Sequence, residues 1–95
     1  MIKLSIAIFL TSSLFGNTIN DIIINNAAKI AYKSEYLIAG NNRAFAQSPG
    51  GAWSWDAGKE TIESARESAL KRCNLHLSQD DKPCKIIEEN GKWVK

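Results

Sequence analysis

The chain has 95 residues, 44% of them hydrophobic and 23% charged, with a formal net charge of +2. That length allows one domain at most, and so slight a charge excludes the basic stripe that a nucleic-acid footprint requires. It also gives no reason to expect an anionic membrane surface as a partner, so the surface reads as mixed and soluble.

Residues 1–16 read as a signal peptide. Lys3 supplies the positive start, the stretch from Leu4 to Leu14 is mostly apolar, and Gly16 is a small residue suited to cleavage. The apolar run is shorter than the roughly 20 residues that cross a bilayer. An uncleaved N-terminal helix is the alternative. No membrane contact is expected after cleavage, and residues 17–95 form the exported protein.

Residues 17–40 form an N-terminal helical segment. Thr18 or Asn20 suits a helix cap, and Asp21 suits a first turn. Ile19, Ile22, Ile23, Ala27, Ile30 and Ala31 recur at helical steps, with Leu37 and Ile38 extending the face. Gly40 with Asn41 and Asn42 marks the stop. One helix over about 19–39 is expected, with a break near Ser34, although Asn25 and Asn26 interrupt the pattern. The isoleucines at 22 to 24 wrap more than one face. They predict burial on two sides or contact with a second copy of the chain.

Residues 41–95 read as an α+β module. Ala44–Gln47 is strand-compatible, and Ser48-Pro49-Gly50-Gly51 is the chemistry of a type I turn closed by a glycine bulge. The second strand runs over Ala52–Asp56. Thr61 caps a helix over 62–75, with Ile62, Ala65, Ala69, Leu70 and Cys73 on its inner side and Arg66, Glu67 and Lys71 facing out. Residues 78–83 form a polar loop. Cys84–Glu89 is strand-like, Asn90-Gly91 is a strong hairpin signal, and Lys92–Lys95 returns. That hairpin sets Glu88 opposite Trp93 and Ile87 opposite Val94. The expected fold is a small antiparallel sheet of two hairpins in ββαββ order. One helix packs across it, and the N-terminal helix covers its other face or its edge.

Cys73 and Cys84 are an even pair in an exported chain, so one disulfide is expected. It would contribute about 3 kcal/mol by closing a loop of this size. That is a large share of the roughly 5 kcal/mol available to so small a domain.

Trp53 and Trp55 lie two apart on a strand and therefore share a face. They either wall the core or form a stacking platform for a sugar or peptide. The inside preference of large apolar side chains favours a core wall with an exposed rim, which Arg43 and Asp56 would line. These four are the candidate binding residues. Cys73 and His76 have the spacing of a thiol and its base, but Cys84 competes for the sulfur. A single histidine and the absence of a calcium-loop spacing give no metal site. Asp80, Asp81, Glu88 and Glu89 read as solvated acids. No catalytic set and no cofactor is implied.

From Tyr36 onward the chain resembles a module of exported bacterial proteins with no assigned activity. The resemblance is carried by Tyr36-Leu37, Ala44-Phe45-Ala46, Ser48-Pro49-Gly50-Gly51, Trp53 with Trp55 and Gly58, Ala65 with Ala69-Leu70 and Cys73, and Cys84. Arg43 stands where the pattern has lysine, and Asn41 or Asn42 where it has histidine. The resemblance implies the fold, the disulfide and export. The expected function is non-catalytic binding of an envelope protein, peptide or glycan in the periplasm or outside the cell. An enzyme inhibitor acting through residues 78–83, a small hydrolase, or a homodimer through the first helix are the alternatives.

Overall fold

The computed structural model describes residues 18–94 of the chain. The expected signal peptide lies outside the described residues, as does Lys95. In chain order the elements are α1 (residues 18–22), α2 (Asn26–Ser34), a 3-10 turn (Tyr36–Ile38), β1 (Ala44–Gln47), β2 (Trp53–Asp56), α3 (Ile62–Asn74), β3 (Lys85–Glu89) and β4 (Lys92–Trp93). The four strands form one antiparallel sheet in the order β2-β1-β3-β4.

The single N-terminal helix expected over 19–39 is two helices and a turn. The interruption at 23–25 has a local cause. Asn25 has extended backbone, and its Oδ1 accepts the N–H groups of Ala27 at 2.8 Å and Ala28 at 3.2 Å. It therefore caps a new helix instead of continuing the old one. The backbone groups released at the break are satisfied by a strand residue. Gln47 Oε1 accepts the Ile24 N–H and Gln47 Nε2 donates to the Ile22 carbonyl, both at 2.9 Å. The break expected near Ser34 is present, because α2 ends there.

Restarting the helix resets its phase. Ile19 of α1 and Ile23 just past its end are buried, then Ala28, Ala31 and Tyr32 from α2. Ala27 is exposed, and so are Ile30 and Ile38, contrary to the continuous pattern. Within the isoleucine run, Ile23 is fully buried against the chain's own sheet, whereas Ile24 is 54% exposed.

The sheet is covered on both faces. α3 lies on one, where Ala65, Ala69 and Cys73 meet Ala44, Ala46 and Cys84. The small alanines on both partners let helix and strand approach closely. The N-terminal segment covers the other face, where Ile19, Ile23, Tyr32 and Tyr36 meet Phe45. Alternation along β1 explains the division, with alanines toward α3 and Phe45 toward α2. All four β1 residues are buried, as befits a strand with neighbours on every side.

The turns are those expected. Gly51, at φ +101°, donates its N–H to the Ser48 carbonyl at 3.1 Å, and the Ser48 N–H donates to the Ala52 carbonyl at 2.9 Å. Asn90 and Gly91, at φ 48° and 88°, form the β3–β4 turn and set Glu88 opposite Trp93. Thr61 caps α3 by accepting the Ser64 N–H at 3.1 Å. Cys73 and Cys84 are disulfide-bonded across a Cα separation of 6.2 Å, which pins the end of α3 to the entry of β3. Asn74 reinforces the joint by accepting the Cys84 N–H at 2.9 Å.

One irregularity was not legible in the strand pattern. β1 pairs Phe45 with Glu88 but Ala46 with Ile86, so Ile87 is an extra residue in β3. The bulge puts Ile87 and Glu88 on the same face, toward α2. Ile86 and Glu89 face α3, where Glu89 receives Arg66.

Candidate functional site

β2 is an edge strand, with β1 on one side and no strand on the other among the described residues. Ser48 and Ala52 form the hydrogen-bonded pair that opens the hairpin. In an antiparallel ladder, bonded and non-bonded pairs alternate. The backbones of Ser54 and Asp56 therefore turn toward Ala46 and Ala44, their partners in the register. Those of Trp53 and Trp55 turn outward.

An open groove of about 800 Å³ runs along this edge. Trp53, Ser54, Trp55 and Asp56 form its base, Arg72 of α3 and His76 in the turn after it flank it, and Asn25 with Gly50 and Gly51 border it as well. The side chains of Trp53 and Trp55 pack against the cluster beneath the N-terminal segment, not against α3. Trp53 lies parallel to Phe45 with centroids 6.0 Å apart, and Trp55 meets Tyr36 edge-on at 5.8 Å. Both are half-buried. They act as a core wall with an exposed rim.

Asp56 lines the same groove from the opposite face, because the residue next to Trp55 along the strand points to the other side of the sheet. Its carboxylate accepts the Ser68 hydroxyl and the Ala57 N–H and pairs with Lys59 at 3.3 Å and Arg72 at 3.9 Å. Burial opposes its ionisation, but the Ser68 hydroxyl, the Ala57 N–H and Lys59 outweigh burial and hold it below the usual carboxylate range. The groove's acid is thus already engaged.

Arg43 does not join these three. It has the same parity as Phe45, so its side chain goes to the α2 face while Asp56 faces α3. Its guanidinium lies 5.3 Å from the Tyr36 ring centroid, and Nη1 donates to the Ala39 carbonyl at 3.0 Å. Its Nε is buried without a hydrogen-bond partner.

Behind the tryptophans sits a polar cluster that sequence reasoning missed. Glu88, expected to be a solvated hairpin acid, is fully buried. Its oxygens accept the Tyr32 hydroxyl at 2.8 Å, the Tyr36 hydroxyl at 2.7 Å and the Gly91 N–H at 3.2 Å. Burial, then the hydrogen bonds to Glu88, push both tyrosines well above the ordinary phenol range. Two signals pointed there: the four-residue step from Tyr32 to Tyr36, and the register that sets Glu88 beside Trp93. The bulge that completes the arrangement leaves no local trace. The second hairpin acid expected in solvent, Glu89, takes Arg66 in a two-pronged contact at 2.6 and 2.9 Å. That guanidinium holds Glu89 below its ordinary range.

The loop at 78–83 is tied down. Asp81 accepts the buried Ser48 hydroxyl, the Gly50 N–H at 3.0 Å and the Lys82 N–H at 2.8 Å. The Ser48 hydroxyl leads in holding Asp81 below its usual range. This acid anchors the loop to the β1–β2 turn. Cys73 is bonded to Cys84, so it offers His76 no thiolate. No family model, no curated protein and no solved structure matches this chain.

Proposed function

We propose that this chain is an exported, non-catalytic binding module that takes an extended peptide by strand addition along β2. The observation that carries the reading is the edge itself. The outward backbone groups of Trp53 and Trp55 repeat at the spacing an added strand needs, and they do so inside an open groove. Main-chain hydrogen bonds would supply affinity, and the side chains on either side of β2 would supply selectivity. Arg43 is not part of this surface. It supports Tyr36 from behind. Export to the periplasm or beyond is supported by the disulfide, which persists in oxidising compartments. Among the described residues no helix is long and apolar enough to cross a membrane.

Amide exchange read by NMR tests the reading residue by residue. In the free protein, Ser54 and Asp56 should exchange slowly and Trp53 and Trp55 quickly. Heptapeptides selected from a displayed random library should slow Trp53 and Trp55 on binding. Peptidoglycan oligosaccharides serve as the competing ligand class. Saturable retention of the glycan, with tryptophan quenching and no slowing of those two amides, would overturn the peptide reading in favour of sugar stacking.

A further inference from the structure

We infer that the groove selects an acidic, alternating strand, with its carboxylates toward α3 and its apolar side chains toward the tryptophans. This inference rests on the strand-addition reading above. A strand added to β2 must send successive side chains to opposite sides of the sheet. The two sides of this edge differ in chemistry. One presents the rims of Trp53 and Trp55, half-buried and backed by Phe45 and Tyr36. The other presents Ser54, Asp56, Arg72 and His76.

Charge decides what suits the α3 side. The Asp56 side chain is only 14% exposed and is already held by Ser68, Ala57 and Lys59. Arg72 is the reverse case. Its side chain is 60% exposed, and its one ion pair among the described residues is the long 3.9 Å contact to Asp56. A guanidinium presents five donors in a planar fork that fits a carboxylate two-pronged. Arg72 therefore retains exposed donors for an incoming acid. The preference is local to the Asp56 end of the groove. At the Gly50 end the carboxylate of Asp81 lies against the turn, where it disfavours a second acid.

Two probes decide the matter: acetyl-Thr-Val-Glu-Val-Glu-Val-Thr-amide and its counterpart with lysine in place of both glutamates. Both are titrated into the full chain at low salt, with the amides of Trp53 and Trp55 as the readout. The glutamate peptide should bind about fivefold more tightly, the size expected of exposed charge pairs. Arg72→Gln should erase the ratio and Arg72→Glu should reverse it, while salt should shrink it in the unaltered protein. Arg72 lies outside both buried clusters, so circular dichroism of both variants should match the parent. If both peptides slow the two amides with equal affinity, or if Arg72→Glu leaves the ratio unchanged, charge selection is wrong and strand addition stands. If neither peptide slows the amides at millimolar concentration, strand addition itself fails, and selection with it.

Discussion

Replacing Glu88 with leucine should bring this domain close to unfolding. The change deletes the carboxylate acceptor of two phenols, Tyr32 at 2.8 Å and Tyr36 at 2.7 Å, in residues only 2% and 0% exposed, and leaves Tyr36 only a long 3.4 Å contact to the main-chain carbonyl at position 88. Each orphaned buried donor costs about 1–3 kcal/mol, so the pair costs about 2–6 kcal/mol. A domain of this size has on the order of 5 kcal/mol to lose. Glu88→Gln should be far milder, at about 1 kcal/mol, because its remaining oxygen serves one phenol and the other hydroxyl turns to accept from the new amide. The decisive variant removes donors and acceptor together. Tyr32→Phe, Tyr36→Phe and Glu88→Leu combined leave no phenol orphaned, so stability should recover most of the single-variant loss. Urea unfolding followed by tryptophan fluorescence measures all three. The reasoning fails if Glu88→Leu costs less than about 1 kcal/mol, or if the triple variant is as unstable as the single one.

Stability should also fall in strong base. Tyr32 and Tyr36 have folded pKa values raised above their unfolded ones, so their contribution is complete below pH about 10 and is lost as pH rises beyond it, by up to about 2.7 kcal/mol per pH unit for the pair. Tyr32→Phe should halve that slope in urea midpoints taken across the alkaline range. Asp56 has the opposite sign. Its pKa is depressed, so its contribution is present above pH about 4 and lost as pH falls further, and Asp56→Asn should flatten the acid limb of the same titration. Reducing the Cys73–Cys84 bond should cost about 3 kcal/mol for its eleven-residue separation, read as a lower urea midpoint once thiol titration shows two free sulfurs. Gly50→Ala should dislodge the 78–83 loop, because the added carbon would lie 2.6 Å from Asp81 Oδ2. Asp81→Ala should relieve that clash, so the two changes together should destabilise less than their sum in thermal melts.

Much of this architecture was written in short-range chemistry. Thr61 at a helix start, Pro49-Gly50-Gly51 and Asn90-Gly91 at turns, and the alanine spacing of α3 each act over a few residues, so the chain alone announces them. The hairpin register followed from the turn, and the disulfide from two cysteines in a chain read as exported. Tertiary structure decided the remainder. Asn25 could cap or continue a helix, and the Gln47 side chain, bonded to backbone on both sides of the break, supports the capped form. Strand order made β1 central and left β2 at the edge. That choice left the outward backbone of the tryptophans open. The bulge at Ile87 turned Glu88 inward, where a regular strand would have put it toward α3.

The chain by itself determined where it bends, where its helices start and which sulfurs are available to join. Only the assembled sheet determined which faces are covered, which acid is buried and which edge stays open. The reason is one of range: turns and caps are settled by neighbours in sequence, whereas strand order and bulges are settled by partners tens of residues away.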